Sequence, residues 1–175
     1  GSKLIVDNAQ AFYAPRIKGI DTFYSARKFF GVPDGAYLYT DCCLDEDLEQ
    51  DVSWERMTHL LKRIEFGAEA GYDNFRIVED SLDNQSIKRM SKLTESILEA
   101  VDYEEVARKR VSNYSFLKMQ LDDLNVILLD DDNKCVPMAY PFMSKAENTR
   151  NLLLNSKVFV AKYWNSVLED CEISD

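Results

Sequence analysis

The chain has 175 residues, is 46% hydrophobic and 11% aromatic, and carries a formal net charge of -10. That length is enough for one domain with a core, or for part of a larger one. The acidic balance argues against a nucleic-acid partner, which needs clustered lysine and arginine. No apolar run approaches the roughly 20 residues that span a bilayer.

No basic-then-apolar leader is visible, and Cys42, Cys43, Cys135 and Cys171 show no CxxC spacing. The expectation is a cytoplasmic protein with reduced thiols and no metal site. The chain opens Gly1-Ser2, and an apolar strand follows at once. It is therefore expected to begin inside a larger fold.

In chain order, residues 3–7 (Lys-Leu-Ile-Val-Asp) read as a short buried strand ending in Asp7. Residues 20–25 and 36–40 read as a second and third strand, rich in aromatic and β-branched residues. Between these two lies Gly31-Val-Pro-Asp-Gly35. Pro33 presets one backbone angle and Asp34-Gly35 favours a tight reversal. The two strands are thus expected to be antiparallel neighbours with Lys28 beside their connection.

Trp54, Met57, Leu60, Leu61 and Ile64 recur at helical spacing over 53–66. Gly67 and Gly71 are expected to loosen or end that helix, and 72–76 to be a polar-aromatic connector. The single histidine, His59, lies within the helix and reads as structural. A helical tract is predicted from about 84 to 121, broken near Val101-Asp102. There Asp102 can cap a new helix, with Glu105 at the capping-box position. Residues 124–130, 135–142 and 158–164 read as strands, and 146–155 as a helix. The acidic runs at 45–47 and 130–132 read as solvated segments. The second lacks the ligand spacing of a calcium loop.

An acid after one strand and a lysine after the next suit a pyridoxal phosphate site. The cofactor's aldehyde links to a lysine, and a carboxylate pairs with its pyridinium nitrogen. A lysine amine is a nucleophile only after shedding its proton. Arg27 as a cationic neighbour, and partial burial among Tyr24, Phe29 and Phe30, would favour that at Lys28.

Three patches then match a known family in order: Ile5-Val-Asp7-Asn-Ala-Gln10-Ala, Ser25-Ala-Arg-Lys28-Phe-Phe-Gly31-Val-Pro-Asp34-Gly35, and Gly71-Tyr-Asp-Asn74-Phe-Arg76. Tyr140-Pro141 and Val160-Ala-Lys-Tyr163-Trp164 extend the likeness toward the C-terminus. The chain resembles the DegT/StrS-type, fold type I, pyridoxal-phosphate-dependent sugar aminotransferases, in their C-terminal portion.

The resemblance implies an α/β fold. Residues 3–84 would form the C-terminal part of the cofactor-binding large domain, with a mixed and mostly parallel sheet in the intact fold. Residues 85–122 would be linking helices, and 123–175 a truncated small α/β domain. Lys28 would be the catalytic lysine. Asp7 would pair with the pyridinium nitrogen, Gln10 would lie against the ring or its hydroxyl, and Ser25 would touch the phosphate. Asn74 would contact the phosphate of a neighbouring subunit's cofactor in a homodimer.

The implied reaction moves an amino group from an amino acid, glutamate by expectation, to a nucleotide-linked keto-sugar for polysaccharide or glycoconjugate biosynthesis. Arg16, Lys18, Arg27 and Arg76 are candidate basic groups for the nucleotide diphosphate. The family's phosphate loop is not in this sequence, so the chain alone is expected to be an inactive portion. The alternatives are a non-catalytic or regulatory protein of the same fold, an interaction module, and a dehydratase. Dehydratase relatives have histidine in place of the lysine, which Lys28 argues against.

Overall fold

The computed structural model describes residues 4–43, 47–129, 135–146 and 148–163. It is an α/β arrangement built on one small mixed sheet. Strands β1 (Ile5–Asp7), β2 (Asp21–Ser25) and β3 (Ala36–Tyr39) lie in that order. β1 and β2 are parallel, with Asp7 in register with Phe23. β2 and β3 are antiparallel, with Tyr24 opposite Tyr37 and Ser25 opposite Ala36. The expected antiparallel pair and its Lys28-bearing connection are both present.

Side chains alternate across a strand, and partners in register share a face. Thr22 and Tyr24 are buried, while Asp21, Phe23 and Ser25 are only half-buried. One face of the sheet therefore carries Thr22, Tyr24, Tyr37 and Tyr39, and the other carries Asp7, Phe23, Ser25 and Leu38.

The buried core lies on the connection that follows β2. Ala26, Phe29, Phe30 and Val32 pack with Leu98, and Phe12, Tyr13, Tyr37, Tyr103 and Val106 close around them. Leu98 lies on α3 (Lys92–Glu99), and Tyr103 and Val106 on α4 (Tyr103–Leu121). Both helices are capped at their N-termini. Ser91 accepts the Thr94 amide at 3.1 Å, and Asp102 accepts the Glu105 amide at 2.9 Å, which satisfies donors a helix start leaves open. Asp102 thus caps as expected. The Glu105 carboxylate pairs with Arg108 and Lys109, whose hydrogen bonds hold it below the usual carboxylate range.

A helical hairpin follows the sheet. A 3-10 turn, Trp54–Met57, leads into α1 (Thr58–Phe66), and α2 (Ala68–Leu82) packs back along it. Gly67, at φ +89°, makes the reversal. The connector expected at 72–76 is instead the middle of α2. Gly71 does not end a helix there. A Cβ on it would stand 2.5 Å from the His59 carbonyl oxygen, so the missing side chain lets the two helices meet. His59 is structural: Nδ1 bonds the Arg56 carbonyl at 2.8 Å, and the ring meets Phe75 edge-on.

Residues 84–91 are not helical either. They return beside the chain before the 3-10 turn, where Gln50 and Arg89 form an isolated parallel bridge.

The C-terminal strands are a further correction. Described residues within 124–130, 135–142 and 158–164 form no strand. Residues 130–134 and 164 lie outside the described residues, as does Cys171. Pro137 and Pro141 bring no amide hydrogen to a ladder. A single backbone bond, from the Val126 amide to the Met143 carbonyl at 2.8 Å, and the Asn125 side chain join this region instead: Asn125 donates to the Pro141 carbonyl at 3.0 Å and accepts from the Ile127 and Met143 amides. The last helix among the described residues, α5, spans Thr149–Asn155. No helix among the described residues is long and apolar enough to cross a membrane.

Candidate functional site

Lys28 sits in a helical turn that leaves the end of β2. The Phe29 and Phe30 amides both donate to the Ala26 carbonyl at 3.0 Å, and the Ala26 amide donates to Gly35 at 3.0 Å. Consecutive residues of such a turn point about 100° apart. Ala26, Phe29 and Phe30 point inward, and Lys28 is left exposed. The partial burial expected for Lys28 among Tyr24, Phe29 and Phe30 is therefore not found. Those rings are buried beneath the turn, and the amine stands outside it.

Two arginines hold the turn, one on it and one reaching it from α4. Arg27 forms a forked ion pair with Glu79 of α2, one arm of which is 3.3 Å. Its charge is committed to that partner rather than left facing Lys28. Arg110 of α4 donates to the Phe29 carbonyl at 2.8 Å and to the Met138 carbonyl at 3.0 Å. Its guanidinium carbon stands 4.6 Å from the Phe29 ring centroid. Burial pushes the Arg110 pKa below the usual arginine range, and the nearby Tyr13 acts in the opposite direction.

The far end of the connection is anchored by a buried polar network. Asp34 accepts from Thr94 Oγ1 at 2.6 Å and from Arg56 Nε at 2.7 Å. Arg56 also pairs with Asp51, and Ser53 bonds Ser91. Gly35 follows at φ +99°, where a Cβ would meet Thr94 at 2.8 Å. Asp34 thus does more than favour a reversal, since it ties the turn to α3 and to the helical hairpin.

Asp7 ends β1 and is exposed. Its Oδ1 accepts the Ala9 amide at 2.8 Å, and Gln10 follows in the same turn. Ser25 lies on Asp7's face of the sheet, two residues past the position in register with it. Strand spacing and rise put their Cα atoms about 8 Å apart. Lys28 comes three residues later. Asp7 and Ser25 therefore lie at the carboxyl ends of the parallel strands, with Gln10 and Lys28 in the turns that follow them.

Asn74 does not join them. It lies on α2, where its Oδ1 accepts from Lys62 Nζ at 2.7 Å. Five residues of helix, about 7 Å, separate it from Glu79. Lys18 and Arg76 are exposed. Tyr140 packs against Tyr114 and accepts a hydrogen bond from Asn125. Tyr163 is exposed, and Trp164 lies outside the described residues.

The opposite face of the sheet carries a feature that the spacing of motifs did not reveal. An open cleft of about 470 Å³ is lined by Phe12, Ala14, Arg16, Tyr24, Tyr37, Tyr39 and Tyr103. Burial pushes the Tyr37 hydroxyl up to about 12, and its hydrogen bond with Tyr103 adds to the effect. The alternation of Tyr24, Tyr37 and Tyr39 along the strands was the available signal. Tyr103 enters from a helix start far along the chain.

Comparisons with protein-family models, curated proteins and solved structures found no match. Among the described residues no group of three or more His, Cys, Asp or Glu converges as a metal site would require. The described cysteines, Cys42, Cys43 and Cys135, are free and exposed.

Proposed function

We propose that the protein is a pyridoxal-phosphate-dependent aminotransferase of the DegT/StrS type. It would transfer an amino group from glutamate or a similar donor to a nucleotide-linked keto-sugar. The observation that carries this reading is the placement of Asp7 and Lys28. They leave the same edge of two parallel, hydrogen-bonded strands, an acid from one and an amine from the next.

The residues at that edge fit the cofactor. One Asp7 oxygen is oriented by the Ala9 amide, which leaves the other for a cationic ring nitrogen. Gln10 adds an amide beside it. Pyridoxal phosphate, when bound, supplies an aldehyde and a ring that accepts an electron pair. Asp7 would pair with the ring nitrogen in its charged form. Lys28 Nζ would serve as the nucleophile, and as the base that takes the substrate's α-proton and gives it up again. The Arg27 and Arg110 contacts keep the backbone of the turn fixed while the Lys28 side chain moves. Ser25 and Asn74 would contact the phosphate, Asn74 across a homodimer. The product would serve polysaccharide or glycoconjugate biosynthesis in the cytoplasm.

The exposure of Lys28 favours a second reading, a non-catalytic or regulatory protein that keeps the cofactor scaffold. One experiment separates the two. Protein expressed from the complete gene is incubated with pyridoxal phosphate, labelled glutamate and a panel of nucleotide-linked keto-sugars. Label transferred by the wild type and lost in Lys28→Ala supports the enzyme. Cofactor binding without transfer to any acceptor supports the second reading.

A further inference from the structure

We infer that the aromatic cleft is a second binding site, for a planar ring that carries an anionic group. Two of its tyrosine hydroxyls are committed elsewhere: Tyr24 and Tyr103 donate to the Ala14 and Leu98 carbonyls, both at 3.0 Å. Tyr24 and Tyr39 meet edge-to-face at 5.6 Å, as do Phe12 and Tyr37 at 6.0 Å. Such a set offers a flat ligand both stacked and edge-on contacts. Tyr39 remains 46% exposed, so part of this surface is open. The volume is that of small-molecule sites, roughly 300–1,000 Å³.

Arg16 supplies the charge. Its guanidinium carbon lies 5.7 Å from the Tyr39 ring centroid, at the cleft wall. One nitrogen, Nη2, pairs with Asp41 at 2.6 Å, in a bridge where both side chains are substantially exposed. Exposed bridges of this kind contribute about 1 kcal/mol or less. The guanidinium fork has further donors for a phosphate or carboxylate. In a chain of net charge -10, a cation beside five aromatic rings selects an anionic aromatic over a neutral one.

This site does not rest on the aminotransferase reading. Tyr24, Tyr37 and Tyr39 lie on the face opposite Asp7 and Ser25. Lys28 is not among the cleft residues.

Calorimetric titration of the protein with AMP, indole-3-acetate, adenosine and inorganic phosphate tests the inference. At least one of AMP and indole-3-acetate is expected to saturate, and which one does identifies the anion as phosphate or carboxylate. Inorganic phosphate alone is expected not to bind. Arg16→Gln should weaken the anionic ligand about tenfold, as loss of a charged hydrogen bond requires, and leave adenosine unchanged. Tyr39→Leu should weaken both, with circular dichroism confirming the fold. Lys28→Ala should change neither. The inference is overturned if neither anionic probe saturates, if Arg16→Gln binds it as tightly as wild type, or if Lys28→Ala abolishes binding.

Discussion

Arg110 Nη2 donates to the carbonyl oxygen of Phe29 at 2.8 Å, across 81 residues of sequence. Its other terminal nitrogen holds Met138. One side chain on α4 thus fixes the backbone one residue beyond Lys28. Arg110→Met should remove both charge-assisted hydrogen bonds and lower stability by about 3 kcal/mol. Arg110→Lys should recover little, because an ammonium lacks the fork that reaches two carbonyls. Urea unfolding of the three proteins checks this. Equal midpoints would remove Arg110 from the account.

Gly71 gives a sharper steric prediction. Gly71→Ala places a methyl group 2.5 Å from the His59 carbonyl oxygen. The hairpin must open, and overpacking of this kind costs about 1–3 kcal/mol. Alanine is otherwise the better helix former by about 1 kcal/mol. Thermal melts therefore decide the sign: a lower midpoint supports close packing of α1 and α2, and a higher one contradicts it.

The pairing of β2 with β3 and the break between α3 and α4 could be read from the sequence because their signals are local; the first strand was expected to be buried, but Leu4, Ile5 and Asp7 are exposed. β2 and β3 are short aromatic runs bounded by turn residues, and Asp102 with Glu105 marks a helix start within four residues. α2 was misread because glycine is ambiguous. At Gly67 it reverses the chain, whereas at Gly71 it admits a neighbouring backbone, and only the position of α1 tells them apart. The C-terminal segments have strand-like composition, but their prolines bring no donors, and Asn125 joins them instead. Of the candidate site, Asp7 and Ser25 end strands whose order was legible in the sequence, and Gln10 and Lys28 lie in the turns that follow those strands. The exposure of Lys28 and the clamps from Glu79 and Arg110 are tertiary facts with no local signature.

Tyr37 sets an alkaline limit on the fold. Its pKa is raised in the folded state to about 12 from the ordinary tyrosine value of 10.0, first by burial and then by the neighbouring Tyr103 hydroxyl. The folded state thus favours the protonated phenol. That contribution is full below pH 10.0 and is lost as pH rises toward about 12. Tyr37→Phe cannot ionise there, so it should lose less stability than wild type across that window. Denaturation midpoints at pH 8, 10 and 11 (approximate settings bracketing the tyrosine range) measure the difference. Parallel losses in both proteins would contradict the assignment.

On the proposed aminotransferase reading, Lys28 links to the cofactor. Protein expressed from the complete gene is loaded with pyridoxal phosphate, reduced with borohydride, digested and mapped by mass spectrometry. The expected result is the added pyridoxyl mass on the peptide containing Lys28, and its loss in Lys28→Ala. The added mass on a different lysine, or on none, would contradict it.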